Sequence, residues 1–518
     1  MMDGEMQEMM VGLDDIIMVL VAIEKKIRSL SPLIHTKPPG TTSMAEASRS
    51  FYTSLLPHHS PPTLRPRHRL GFRVRCSLGG RSTAVVAEEA GPVPWGCDVD
   101  SVGNASALQR WLSESGLPPQ KMGIERVDVG ERGLVALKNI RKGEKLLFVP
   151  PSLVITADSK WSCQEAGDVL RKNFVPDWPL LATYLISEAS LKDASRWTRS
   201  ELDMYLVASQ IRERAIERIT DVTATYDDLR LRIFSKHPQL FPEEIFNMET
   251  FKWSFGIIFS RLVRCPSMDG KVALVPLADM LNHSSEVETF LDYDKASQGI
   301  VFTTDRPYQP GEQVFISYGK KSNGELLLSY GFVPKEGSNP NDSVDLSFSL
   351  NKSDKCCKEK LEALQKYGLS TPHRFPLRIT GWPLELMAYA YLAVSPPSMR
   401  PQFEEMAAAA SSKMNTKKAL KYPEIEEQAL QFILDCCESS ISKYTKILEG
   451  GGSLESVTTS PKQANRKLLL RQLAFDLCNS ERRILFRAQY ILRRRLRDMK
   501  TGELRALTIM NGFRKLFK

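Results

Sequence analysis

Apolar residues follow two different spacings along the chain. Short apolar runs separated by glycine turns occur near 134–149 and again from 272 to 333, in stretches such as VALVPL, GIVFTTD and QVFISYG. This pattern is typical of β-strands. Between about 160 and 260, and again from 356 to 516, apolar residues recur every three or four positions, which predicts helices.

The order of these segments predicts the fold class and the domains. We expect an α+β protein in which a β-rich domain of short strands, over 120–335, is split by a helical insertion at about 160–260. An all-α C-terminal lobe over 350–510 follows. One face of a long helix pair in this lobe is predicted to carry the apolar residues Leu470, Leu473, Ala474, Leu477, Ile484, Leu485, Ala488 and Ile491.

The positive charge is concentrated near the N-terminus. The 518 residues carry a formal charge of +9, but residues 44–87 hold seven arginines against one acid, so they contribute +6 and leave +3 for the rest. Their Ser, Arg, Pro and His content is typical of an organelle transit peptide, and RVRCS around Cys76 resembles a chloroplast processing site. We expect a disordered extension with a chloroplast transit peptide over 1–90; an ordinary basic tail is the alternative.

Several classes of partner are disfavoured. The apolar run IIMVLVAI at 16–23 is far shorter than the roughly 20 residues that span a bilayer. The nine cysteines show no spacing suited to zinc. The arginines of ILRRRLRDMK would surround Leu492 and Leu496 on a helix, which is typical of a solvated face without the aromatic residues that stack on bases. We therefore expect no membrane span, no metal and no nucleic acid.

One apolar stretch, VPLADMLNHSSE at 275–286, is interrupted by a carboxylate, an amide and an imidazole, which are costly to bury without partners. Two further segments stand out, VGERGLVA at 129–136 and GEQVFISYGKKSNGELLLSYGF at 311–332. In this order and spacing the three segments resemble the SET-domain protein methyltransferases, specifically the family of the chloroplast Rubisco large-subunit lysine N-methyltransferase. The resemblance covers about 120–505 and implies a SET domain with its pseudoknot, followed by a helical substrate-binding lobe.

The resemblance implies S-adenosylmethionine as the methyl donor and a protein lysine as the acceptor. Because lysine is protonated at neutral pH, the site has to favour loss of a proton, and desolvation disfavours the ammonium. Tyr318 and Tyr330 resemble the catalytic tyrosines of the family, with Tyr330 at the methyl-transfer position and Tyr318 beside the target nitrogen. We expect alignment and desolvation, rather than a side-chain base, to promote the transfer.

The resemblance also implies two sets of binding residues. Those expected to hold the cofactor are Gly130, Glu131, Arg132, Arg261, Asn282 and His283. Those expected to contact the substrate are Asp279, Tyr293, Arg264, Tyr318 and Tyr330. Two places depart from the family pattern. ERGL stands where Gly-Leu-Gly-Leu is frequent, and the substrate arginine of the family falls at Cys265, one position from Arg264 on a helix expected over 251–267.

The implied function is protein-lysine N-methylation in the chloroplast stroma, with the Rubisco large subunit or fructose-bisphosphate aldolase as the protein substrate. Two alternatives stay open. A relative of this family methylates a histidine of actin, and a neutral imidazole is already a nucleophile at pH 7. A non-catalytic SET-domain scaffold, such as an interaction protein of the plastid nucleoid, is the other.

Overall fold

The structure is a computed structural model. It describes residues 105–128, 131–159, 161, 163–188, 206, 208–265, 267, 271–411, 421–449 and 461–516. The predictions made for 1–90, and for Gly130, lie outside the described residues.

The described residues form two compact units, which we treat one at a time. The sheet unit takes its residues from 105–188 and 262–320, and the helical unit takes its residues from 206–261 and 321–516. The helical insertion predicted from the sequence is therefore shared. Its first helices belong to the sheet unit and its last two belong to the helical unit.

The strands, in chain order, are β1 (Met122–Asp128), β2 (Glu131–Ala136), β3 (Lys145–Val149), β4 (Leu262–Cys265), β5 (Lys271–Leu274), β6 (Asn282–His283), β7 (Thr289–Asp294), β8 (Gly299–Thr304), β9 (Gln313–Ile316), β10 (Ser343–Phe348) and β11 (His373–Arg378). The helices are α1 (Ala105–Glu114), α2 (Gln164–Lys172), α3 (Asp177–Glu188), α4 (Ile211–Arg232), α5 (Met248–Arg261), α6 (Asn323–Tyr330), α7 (Cys357–Lys366), α8 (Leu384–Val394), α9 (Phe403–Ala410), α10 (Glu426–Glu449) and α11 (Pro461–Leu516).

The sheet unit contains a four-stranded sheet in the order β1-β2-β9-β6, a three-stranded sheet in the order β3-β8-β7, and the pair β4-β5. The strand β6 pairs with β9 in parallel, with Asn282 opposite Phe315 and His283 opposite Ile316. Parallel strands need a long connection between them. Here that connection contains β7 and β8. Through its pairing with β9, strand β6 belongs to the same sheet as β2, which holds the predicted cofactor segment.

The helical unit is built around one apolar core to which α8, α9, α10 and α11 contribute. The predicted apolar face is confirmed, because Leu477, Leu485 and Ala488 are at most 1% exposed. This face belongs to a single helix of 56 residues, α11, rather than to a helix pair. Its neighbour α10 contributes Leu430 and Ile433, which are fully buried.

Two segments differ from the secondary structure expected from the sequence. The C-terminal lobe is not all-α, because His373–Arg378 forms strand β11 and pairs with β10. In that strand only Phe375 and Leu377 are buried, and two apolar positions are too few to reveal a strand by alternation. The helix expected over 251–267 ends at Arg261, and Leu262–Cys265 is strand β4.

The arginine-rich segment forms an outer face of α11. Leu492 and Leu496 are buried beneath it. Arg493 lies 2.7 Å from Glu438, and the guanidinium of Arg495 stands over the ring of Trp382. In the described part of the chain no helix combines the length and the low polarity needed to cross a bilayer, and no group of three or more His, Cys, Asp or Glu side chains is arranged to bind a metal ion.

Lys360 of α7 is a fully buried cation in the helical unit. Its Nζ donates to Asp354 Oδ2 at 2.6 Å, to the carbonyl of Ala393 at 3.0 Å and to that of Ser395 at 2.8 Å. It also lies 5.5 Å from the centre of the Phe403 ring. All three ammonium protons therefore have an acceptor, which is the condition under which a buried charge is stable.

We expect Lys360→Met to lower the free energy of unfolding by about 3–5 kcal/mol, because the carboxylate and two carbonyls would lose their donor. Lys358→Met is the matched control: Lys358 is on the same helix, but its side chain is 88% exposed. The control should change stability by less than about 0.5 kcal/mol. Denaturant unfolding of both variants measures this, and equal stability would contradict a structural role for Lys360.

Candidate active site

The stretch 275–286 buries its apolar residues around a tight turn and keeps its polar residues half-buried. Val275, Leu277 and Leu281 are buried. Leu277 has a φ of +68°, which non-glycine residues rarely adopt. The turn that follows carries Asp279, half-buried, and leads directly into Asn282 and His283 of β6. Asp279, Asn282 and His283 are each half-buried, and one carboxylate oxygen of Asp279 is shielded from solvent.

Tyr318 is packed against His283. The two rings stack with their centres 5.1 Å apart. The backbone N–H of Tyr318 donates to Nδ1 of His283 at 3.1 Å, and the Tyr318 hydroxyl donates to the carbonyl of Leu281 at 2.7 Å. Tyr318 therefore makes hydrogen bonds to the two residues that flank Asn282. These bonds hold the short strand β6 against the segment that follows β9.

The hydrogen bonds of His283 determine its protonation state. Nδ1 accepts a hydrogen bond from the backbone N–H of Tyr318, and Nε2 lies 3.1 Å from the hydroxyl of Ser285. A nitrogen that accepts carries no proton, so the neutral ring holds its proton on Nε2. The contacts thus assign His283 a positioning role in the sheet unit.

Asn282 connects β6 to β2. Its Nδ2 donates to the carbonyl of Arg132 at 2.8 Å. The next residue, Gly133, has no room for a side chain, because a Cβ there would lie 2.5 Å from Nε2 of Gln313 and 2.9 Å from Nδ2 of Asn282. The space beside Gly133 is therefore filled by two side-chain amides, Gln313 from the adjacent strand β9 and Asn282 from β6. Arg132 itself is 8% exposed.

The other predicted residues of the sheet unit lie on different sheets. Tyr293 of β7 is opposite Ile300, and Arg264 of β4 is opposite Val272. Because Arg264 is on a strand, its one-residue offset from Cys265 directs the two side chains to opposite faces. Glu131 begins β2, and its side chain lies outside the described part of the structure.

Tyr330 is the last residue of α6 in the helical unit. The helix ends at Gly331, whose φ of +81° is the left-handed conformation that commonly terminates helices. Burial raises the pKa of the Tyr330 phenol to about 12. The hydroxyl is therefore protonated at every physiological pH and cannot serve as a base. Arg261, the last residue of α5, is half-buried in the same unit.

Arg218 of α4 holds the end of the helix that carries Tyr330. Its guanidinium donates to the carbonyl of Leu328 at 2.9 Å and lies 5.8 Å from the centre of the Phe259 ring. Burial, together with the nearby Arg214, lowers its pKa to about 10, so it stays charged. The last carbonyls of a helix lack partners within it, and a cation there also complements the helix dipole.

Arg218 was not among the predicted functional residues, although the sequence contains a signal for it. The buried residues of α4 are Ile211, Ala215, Val222, Tyr226 and Leu229. Arg218 stands at the position that continues this spacing of three and four, so it is a charge within an apolar stripe. Such a charge needs a partner inside the protein.

The start of α6 is joined to α11 by buried polar groups. Two hydrogen bonds hold Asn323 in place. Its backbone N–H donates to the Asp342 carboxylate at 2.9 Å, and its Nδ2 donates to the Ser480 hydroxyl at 3.2 Å. Ser480 donates to Asp342 at 2.5 Å, which closes the triangle. Beside it, Glu481 is buried and accepts hydrogen bonds from Ser209 and Tyr444, each at 2.9 Å.

The structure therefore places the predicted residues in two groups. Arg132, Asn282, His283 and Tyr318 are brought together in the sheet unit. Tyr330 and Arg261 belong to the helical unit. The fold therefore combines a domain of short strands, which contains the parallel β6-β9 pair, with a helical lobe that follows it in the chain. Comparisons with known proteins identify this class of fold.

Two family models match the chain: the SET domain over residues 131–319 and the Rubisco LSMT substrate-binding domain over residues 351–485. Among solved structures, Rubisco LSMT bound to AdoMet is similar with a TM-score of 0.57 and 21% identity, covering 77% of this chain and 94% of that one. The SET domain of LSMT bound to MeLysine and AdoHcy is similar with a TM-score of 0.58 and 22% identity, with the same coverage. At this identity the likeness establishes the fold.

The actin-histidine N-methyltransferases of Homo sapiens and Mus musculus are each 28% identical over 317 residues, which is 55% of this chain. The chain spans about half the length of these curated relatives, 52% in each case. With both family models matched in order, the chain belongs to the SET-domain family of the Rubisco LSMT type. The predicted family and the predicted SET fold are confirmed.

We expect Arg218→Met to lower the free energy of unfolding by about 1–3 kcal/mol, because the Leu328 carbonyl would lose a charged donor. Arg230→Met, on an exposed position of the same helix, is the control and should be close to neutral. Thermal or urea unfolding measures both. If the two variants were equally stable, Arg218 would not support the end of α6.

The buried carboxyl of Glu481 should make the free energy of unfolding depend on pH. Burial raises the pKa of its carboxyl from 4.5 to about 8. Because the folded protein holds this proton more tightly than the unfolded chain, the stabilisation is complete below pH 4.5 and is lost as the pH rises through about 8. Glu481→Gln removes the titration, so the fall in unfolding free energy between about pH 5 and 8 should become shallower.

Urea unfolding at several pH values tests this prediction. Glu362→Gln, at an exposed acid of α7, is the control and should retain the wild-type slope. A Glu481→Gln variant that also retained the wild-type slope would show that this carboxyl does not titrate in that range.

Proposed function

We propose that this chain is an S-adenosylmethionine-dependent protein methyltransferase whose acceptor is a lysine side chain. The observation that carries the proposal is the match of a SET domain and a Rubisco LSMT substrate-binding domain, in that order, in one chain. The similar solved structures support it, because they are complexes of LSMT with AdoMet, with methyl-lysine and AdoHcy, and with lysine and AdoHcy.

The residues of the sheet unit fit such a cofactor. The Asn282 amide donates to the Arg132 carbonyl, the side-chain amides of Gln313 and Asn282 fill the space beside Gly133, and His283 accepts the Tyr318 backbone N–H, so polar groups of β2, β6 and β9 lie together. In this proposal the cofactor is bound by Arg132, Asn282 and His283. Further contacts to it come from Gly130, Glu131 and Arg261. When bound, S-adenosylmethionine supplies a methyl group on a positively charged sulfur. Arg261 is suited to its carboxylate, because guanidinium and carboxylate can bind in a bidentate manner.

The two tyrosines are proposed to orient the acceptor amine. The phenol of Tyr330 keeps its proton, so its oxygen can accept a hydrogen bond from an amine but cannot remove a proton as a phenolate. The Tyr318 hydroxyl already donates to Leu281, which leaves its lone pairs as acceptors. The amine would thus be aligned and desolvated, and would release its proton to solvent. We assign Asp279, Tyr293 and Arg264 to the protein substrate.

Histidine methylation is a second candidate, favoured by the curated relatives, which are actin-histidine N-methyltransferases. A neutral imidazole needs no deprotonation before it attacks. Tyr330 favours lysine in our proposal, because a protonated phenol offers an oxygen to an amine. We further propose the chloroplast stroma as the location, on the composition of 44–87, and the Rubisco large subunit or aldolase as substrate.

A transfer assay with labelled S-adenosylmethionine separates these possibilities. Purified Rubisco large subunit, fructose-bisphosphate aldolase and actin serve as acceptors, and mass spectrometry locates the methyl group. We expect a methylated lysine. A methylated histidine would replace the lysine proposal, and failure to modify any protein while protein binding persists would favour the scaffold alternative.

Tyr330→Phe should lower kcat by about tenfold to a hundredfold, because the hydroxyl that aligns the acceptor is lost while the ring still packs. Tyr490→Phe is the control, because Tyr490 is 53% exposed on α11. It should keep wild-type turnover. Unchanged kcat in Tyr330→Phe, with the acceptor modified as before, would remove Tyr330 from the mechanism.

A further inference from the structure

We propose that the groove between strand β10 and helix α10 is a second contact site for the protein substrate, which would bind there in extended form and add a strand to β10. The inference rests on the proposed function for the identity of its ligand. Extended peptides commonly bind to exposed sheet edges, where main-chain hydrogen bonds give affinity and side-chain pockets give specificity.

The register of the β10-β11 sheet leaves one edge of β10 available. Asp345 is opposite Pro376, which has no N–H, so this pair cannot exchange hydrogen bonds. The bonds to β11 therefore come from Val344 and Leu346, and the N–H and C=O groups of Asp345 and Ser347 point the other way. Among the strands that the structure describes, β10 pairs with β11 alone.

A cavity of about 380 Å³ lies along this edge. Four consecutive residues of β10, from Val344 to Ser347, line it. Successive side chains of a strand point to opposite faces, so all four can line one space only if that space follows the backbone edge. The cavity is therefore placed where an added strand would pair with Asp345 and Ser347.

Helix α10 forms the opposite wall along the same direction. It contributes Phe432, Asp435, Cys436, Ser439, Ser440 and Lys443, which recur at helical spacing on one side. Leu485 of α11 is buried at the cavity and adds apolar surface. On the open side Asp435, Ser439 and Lys443 are exposed, which gives a peptide chain access from solvent.

The charge of the groove selects the kind of peptide. Two carboxylates, Asp345 and Asp435, line it against one lysine, Lys443, and the guanidinium of Arg214 lies 3.9 Å from Asp345. The exposed carboxylate of Asp435 accepts from the neutral amide of Gln431. A segment with a lysine or arginine facing Asp435 is therefore complementary. The substrate-binding family model, over 351–485, covers the whole α10 wall of the groove.

The test fills the groove without altering the residues assigned to the reaction. Ser440→Trp places an indole in the cavity, whereas Ser442→Trp places one on the exposed surface of the same helix. A charge test uses Asp435→Lys, with Asp476→Lys as its match. Both aspartates are exposed helical residues that accept from a glutamine four positions earlier.

Two readouts are measured for the full chain. In methyl transfer to a whole acceptor protein, Ser440→Trp and Asp435→Lys should raise KM by about tenfold with kcat little changed, while both controls behave as wild type. With a short peptide that contains only the modified residue, all variants should match wild type. Wild-type KM for the whole protein in Ser440→Trp would overturn the proposal.

The second readout is independent of catalysis. Fluorescent peptides that tile the Rubisco large subunit and actin are titrated into each variant, and anisotropy reports binding. Binding of basic peptides that is weakened in Ser440→Trp and retained in Ser442→Trp supports the groove, even if no acceptor is methylated and the proposed function fails. If no peptide shows this difference, the groove does not bind substrate.

Discussion

The position of the short helix α6 depends on one buried polar network, formed by Asn323, Asp342 and Ser480. An eight-residue helix gains little stability by itself, since nucleation is unfavourable and few bonds follow it. Its first turn is tied to α11 by this network and its last turn is tied to α4 by Arg218. The orientation of Tyr330 is therefore set by groups far away in the chain. The C-terminal lobe is therefore part of the framework of the proposed active site.

In the sheet unit, a short strand is also held in place by contacts from its neighbours. A strand of two residues, β6, is held from one side by the Arg132 carbonyl and from the other by Tyr318. The positive φ of Leu277 costs free energy, and its complete burial among other apolar groups maintains it. Backbone strain of this kind concentrates at functional sites. Both units thus fix short, intrinsically weak elements through contacts made by their neighbours.

Features that repeat over many residues could be predicted from the sequence. The apolar face of α11 is an example, because each turn of the helix gives the same signal. The acceptors of Arg218 and Lys360 could not be predicted. The charge of Arg218 stands within an apolar stripe and shows that it needs a partner, but the Leu328 carbonyl lies 110 positions away. The carbonyls of Ala393 and Ser395 likewise meet Lys360 only in the folded chain. Strand β11 was missed because Pro376 stands within it, and proline argues against a strand in a sequence pattern.

That proline has a consequence for how the lobe behaves in solution. A two-stranded sheet presents two borders, and either can recruit further chains into aggregates. At the outer border of β11 the nitrogen of Pro376 offers no proton, and arginines at 374 and 378 flank it. Proline and like charges at a border oppose uncontrolled polymerisation. Pairing with a further strand is therefore disfavoured at the β11 border, which lowers the tendency of this sheet to stack into fibrils.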